Sequence, residues 1–154
     1  MPTPRVTDDD YALLRAFFAA FAQSEFGISD PLAPLRALEA SAPRRAASGL
    51  RQAIEDCLAL SVGLRAARLI AIDEDLAAQG LPTLSQVRWR FWRRPQAVLA
   101  RGSIRTAAER AAILALADSA LEAAARVQCL DLVEAFDARS RRGPLRASGA
   151  AFGR

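Results

Sequence analysis

Apolar side chains recur at intervals of three and four residues along almost the whole chain, a spacing that turns one side of an α-helix toward a core and suits no β-strand. Tyr11, Leu14, Phe18 and Phe21 form one such stripe, widened by Phe17. Leu69, Ile72 and Leu76 form a second, and Val87 and Phe91 belong to a third. The longest periodic run covers about 107–138 and puts Ile113, Leu116, Ala120, Ala123, Val127, Leu130 and Val133 on one face, with Glu122 and Arg126 at ion-pair spacing on its polar side.

Helix punctuation falls between the stripes. Thr7 with Asp8, Asp9 and Asp10 predicts a capped start for a first helix that stops at Gly27. Asp30-Pro31 predicts a short helix through Leu35 and Leu38, and Pro43 opens a longer one to about Val62. Gly63 is either a helix end or a weak point, and the segment from Leu64 ends at Gly80. Thr83 with Gln86, and Thr106 with Glu109, have capping-box spacing, while Pro95 is expected to interrupt the helix carrying Phe91. The expected fold is all-α: a bundle of about five or six helices with a long C-terminal helix. One domain is expected over 1–139, with a flexible tail over 140–154 where Arg141, Arg142, Arg146 and Arg154 mix with Gly, Ser and Ala.

Composition narrows the chemistry. With 154 residues, 52% of them hydrophobic and 25% charged, the chain can bury one core. It contains no His, Lys or Asn, which excludes a Ser-His-Asp or Cys-His relay, a Schiff-base lysine and a P-loop lysine. Two cysteines without histidine cannot make a standard zinc site, and Cys57 and Cys129, each followed by a leucine, read as buried thiols. No metal and no cofactor are expected, since Asp73-Glu74-Asp75 and Asp8–Asp10 lack the ligand spacing and central glycine of a calcium loop. The expectation is a protein that binds rather than catalyses, with no catalytic residue to name.

Charge and hydropathy place it in a compartment. The stretch between Arg15 and Glu25 is the longest uncharged one in the first half, well short of a membrane span, and the acidic N-terminus is unlike a secretory signal. A cytoplasmic protein is expected. The net charge of +4 conceals an asymmetry: residues 1–80 hold 8 Arg and 11 acids, residues 81–154 hold 13 Arg and 6 acids. The basic half could meet nucleic acid, an acidic protein or the chain's own acidic half.

Two sets of candidate contact residues follow. Arg88, Arg90, Trp92, Arg93 and Arg94 interleave guanidinium groups with indole, a combination that can hold phosphate and stack bases; the same residues equally suit a helix with Val87 and Phe91 inward and Arg88 and the other arginines over the solvent side. The second set consists of Gln-led segments. Gln128-Cys129-Leu130-Asp131-Leu132-Val133 has an aliphatic, acid, aliphatic order with one extra residue after Gln; Gln79-Gly80-Leu81-Pro82-Thr83-Leu84 crosses an expected turn; Gln52-Ala53-Ile54 lies in an expected helix. Such segments are loosely similar to the extended peptides that dock on the bacterial replication sliding clamp.

Small size, an Arg-only and Ala-rich helical composition and these Gln-led segments together resemble the SocB-like toxins of bacterial toxin-antitoxin systems. That resemblance implies a toxin that binds the sliding clamp and blocks replication elongation, and an antitoxin that delivers it to an ATP-dependent protease. The function expected is a non-enzymatic inhibitor of a protein partner, and the alternative is a nucleic-acid-binding regulator that uses the Arg/Trp helix and the basic tail.

Overall fold

The structure, a computed structural model, describes residues 7–143. Every regular element among them is helical, eight α-helices and one 3-10 turn, so the all-α class holds with more helices than the five or six expected. The described residues fall into two compact units divided between Arg93 and Arg94.

In the first unit, α1 (Asp8–Phe26) starts at a full capping box: the Asp10 N–H donates to Thr7 Oγ1 and the Thr7 N–H to the Asp10 carboxylate. It ends at Gly27, whose φ of 63° gives the left-handed turn that stops a helix. Asp30-Pro31 is a turn rather than a helix start. The next helix, α2 (Ala33–Ser41), begins two residues later with Pro34 in its first turn. Pro43 opens α3 (Pro43–Leu60), and the Ser61–Gly63 turn separates it from α4 (Ala66–Ala78), so Gly63 marks a true end. A second capping box, Thr83 with Gln86, starts α5 (Leu84–Phe91). Helices α1 and α2 both pack on α3, and α4 packs on α5. Leu14, Phe17, Phe21, Leu50, Ile54 and Leu58 are buried, and the Phe17 and Phe21 rings stack with centroids 5.4 Å apart. Phe17 is thus a full core residue, whereas Phe18 is only half-buried.

One polar cluster ties α1 to α2. Arg15 grips Glu39 through Nε and Nη2 at 2.8 and 3.1 Å, and the Tyr11 hydroxyl donates to Glu39 Oε1 at 2.7 Å. Burial, followed by the hydrogen bond to Glu39 and that group's charge, lifts the Tyr11 phenol to about 12 from an ordinary value near 10. A raised pKa means that the folded state holds the proton more tightly. The contribution to stability is whole below pH 10 and is lost as pH rises through 12. Tyr11 is the only tyrosine, so phenolate absorbance reports it alone. The expected midpoint is near 12 in buffer and near 10 in urea; equal midpoints would contradict the buried contact.

In the second unit, α6 (Arg93–Arg101) begins at the boundary, with the extended residue Trp92 before it. Pro95 sits in the first turn of α6, so it opens a helix instead of ending one, because that position needs no backbone donor. Gly102, with φ of 75°, turns the chain into α7 (Ala107–Asp118), whose N-cap Thr106 accepts from the Glu109 N–H. A Cβ at Gly102 would meet open space, so Gly102→Ala carries backbone strain alone. We expect a loss of about 1 kcal/mol, read as a lower urea midpoint with unchanged slope.

The last helix is α8 (Ala123–Arg142), which packs antiparallel on α7 with Arg110 paired to Asp137 at 2.7 and 2.8 Å. The continuous run expected over 107–138 is therefore two helices. α8 extends through Ser140, Arg141 and Arg142, three residues into the expected tail, while Arg146 and Arg154 lie outside the described residues. Among the described residues no helix is long and apolar enough to cross a membrane.

Candidate functional site

The break between α7 and α8 decides what α8 shows to its surroundings. Ser119 caps α7 at its C-terminal end: its N–H donates to the Leu116 carbonyl and its hydroxyl to the Ala115 carbonyl at 3.0 Å. Serine competes for backbone partners in this way and so favours helix ends. Glu122 follows in extended conformation as the N-cap of α8, where its carbonyl accepts the Arg126 N–H; these two residues occupy the helix entry and not the middle of a polar face.

After the break α8 runs with a new rotational phase. Cys129 and Val133 are buried, and Leu132 and Phe136 are half-buried on the same side. Val127 is left 54% exposed, Leu130 39%, and Leu121 in the connection 76%. Of these, Val127 and Leu130 are residues that the sequence pattern assigns to the core face. The continuous-helix reading failed because it carried the α7 phase across a break that no Gly or Pro marks.

The Gln-led segments occupy three different settings. Gln128 is exposed on α8 one residue before Cys129, with Leu130 half-covered and Leu132 turned inward. Gln52 is exposed on α3, where its amide donates to Asp56 Oδ1 at 2.9 Å. Gln79 caps α4 and donates to the Asp75 carbonyl, and Leu81 is half-buried. Leu84 is fully buried at the start of α5 and has no surface to offer a partner, which corrects its place among the contact residues. The first two segments are helical, so neither presents the extended backbone that a clamp peptide adopts.

The Arg/Trp set also divides. Arg88 is 1% exposed and so is Trp92, correcting both as nucleic-acid contacts. The Arg88 guanidinium donates to the Ser61 carbonyl and hydroxyl at 2.6 and 2.9 Å, and its Cζ lies 5.9 Å from the Trp92 ring centroid. Its position on the helix explains the burial: residue 88 lies one turn from both Leu84 and Phe91, on the same inward side. Arg90 remains at the surface, paired with Asp10 and over the Phe91 ring. Arg93 is exposed, with its backbone N–H on Glu55, and Arg94 is exposed.

Nucleophile and metal chemistry have little to work with. Cys57 is buried, and burial pushes its thiol up to about 12, with the neighbouring Asp56 charge adding to the effect; Cys129 is raised by burial as well. A thiol in that state is not an activated nucleophile. Asp73 of the central acidic run accepts from the Ser85 N–H and hydroxyl. Among the described residues no three His, Cys, Asp or Glu side chains gather as a metal site. No protein-family model, curated protein or solved structure matches the chain.

Proposed function

We propose that this chain is a non-enzymatic, cytoplasmic binding protein that inhibits a protein partner by docking the outward side of α8 against it. The exposure of Val127 and Leu130 one turn apart on a packed helix, with Gln128 beside them and Leu121 at the helix entry, supports this reading. Covering such half-exposed aliphatic side chains contributes about 1 kcal/mol each, enough to select a partner surface when joined by amide hydrogen bonds. The replication sliding clamp is the partner that the resemblance implies, and an antitoxin acting as protease adaptor accompanies it. On this reading the clamp is met by the side of a helix, because Gln128 and Leu130 lie in regular α-helix.

Purified clamp is the ligand to test. Immobilised clamp is expected to retain the protein, and Val127→Asp with Leu130→Asp is expected to abolish retention while leaving the helical circular dichroism unchanged. Ala at Gln52, Gln79 and Gln128 together should weaken capture through Gln128 alone. Absence of retention rejects the clamp as partner, and retention untouched by the α8 variants rejects the surface.

A further inference from the structure

Within the second unit the Ser103–Arg105 connection and the C-terminal part of α8 enclose an open groove of about 480 Å³ lined by Ser103, Ile104, Arg105, Phe136, Arg139 and Ser140. We propose that this groove binds a nucleotide unit, its phosphate between Arg105 and Arg139 and its base against the Phe136 ring. This site is independent of the outward side of α8, since Phe136 lies on the side of the helix opposite Val127 and Leu130.

The groove is held in shape before any ligand arrives. Each residue of its loop wall is fastened by a different partner: Arg101 Nε and Nη2 donate to the Ser103 carbonyl at 3.1 and 2.8 Å, Arg139 Nη2 to the Ile104 carbonyl at 2.9 Å, and the Arg105 N–H to Glu109 Oε2 at 2.7 Å. Ile104 anchors the loop, being 2% exposed. On the helix wall Phe136, Arg139 and Ser140 share one side by their three- and four-residue spacing. None of the lining residues is acidic. The nearby carboxylates serve other cations, Glu109 with Arg101 and Asp137 with Arg110. Arg105 and Arg139 therefore carry positive charge that no carboxylate among the described residues offsets by an ion pair. Two guanidinium groups and the Ser103 hydroxyl beside an aromatic ring match a phosphate joined to a planar base, while the Ser140 hydroxyl donates to the Phe136 carbonyl at 3.1 Å.

That chemistry has two sources, a free nucleoside phosphate and a 5′-phosphorylated single strand. Calorimetric titration of the full chain at low salt with adenosine monophosphate, inorganic phosphate and 5′-phosphorylated oligothymidylate separates them. We expect adenosine monophosphate to bind at least tenfold more tightly than inorganic phosphate. Arg105→Ala is expected to lower affinity at least tenfold without changing the melting temperature, because the Arg105 side chain is exposed. Phe136→Leu keeps apolar volume and should bring adenosine monophosphate down toward inorganic phosphate. Tighter binding of the oligonucleotide assigns the strand as the source, and equal binding assigns the free nucleotide. Inorganic phosphate binding as well as the nucleotide, affinity unchanged by Arg105→Ala, or no heat with any of the three overturns the proposal.

Discussion

Replacing Arg88 by leucine is expected to lower the stability of the protein by about 3 kcal/mol or more, with a fall of roughly 6–12 °C in melting temperature. Leucine supplies apolar volume but no donors. The Ser61 carbonyl and hydroxyl then lose hydrogen bonds of 2.6, 2.9 and 3.2 Å in a buried setting. Each orphaned acceptor costs about 1–3 kcal/mol. Ser61 also caps α3, so the guanidinium sits at the negative end of that helix dipole, a favourable place for a cation. Arg88→Lys keeps the charge but not the planar fork and should recover only part of the loss. A variant within about 0.5 kcal/mol of the parent would mean that Arg88 is a surface residue, since surface substitutions have effects of that size.

Trp92→Ala is expected to be at least as damaging, at about 3–5 kcal/mol, the usual cost of removing a fully buried large aromatic. The Trp92 N–H donates to the Arg88 carbonyl at 3.3 Å and its extended backbone closes α5, so the indole is both filler and corner. Fluorescence checks the burial separately from stability. With Trp89→Phe, Trp92 is the sole tryptophan, and its emission should be blue-shifted and resist quenching by iodide. Red-shifted, readily quenched emission would return the indole to the surface and reopen the stacking role for it.

These two residues also show where the sequence is legible. Helix ends that depend on neighbours in the chain are plain to read: Thr7 and Thr83 cap as their spacing requires, and Gly27, Gly80 and Gly102 take the positive φ that stops a helix. Features that depend on distant partners are not. The rule that places arginine outward fails at residue 88 because Ser61, 27 positions away, supplies the acceptors. Pro95 was misread because proline at the start of one helix and proline at the end of another look alike until Trp92 is seen to be extended. The α7–α8 break hides inside an alanine-rich run, where Asp118 and Ser119 are the sole local signs. The same lack of local signal applies to the groove, whose Arg105 and Arg139 are brought together by the antiparallel packing of α7 and α8.

The outward exposure of Val127 and Leu130 rests on that break, and amide hydrogen exchange of the full chain reads it directly. Residues 109–118 and 126–142 should form two protected blocks separated by fast exchange at 121–125, which covers the connection and the first-turn amides of α8 that lack an acceptor within the helix. Unbroken protection from 109 to 138 would show one continuous helix, return Val127 and Leu130 to the inward face, and remove the surface on which the proposed binding depends.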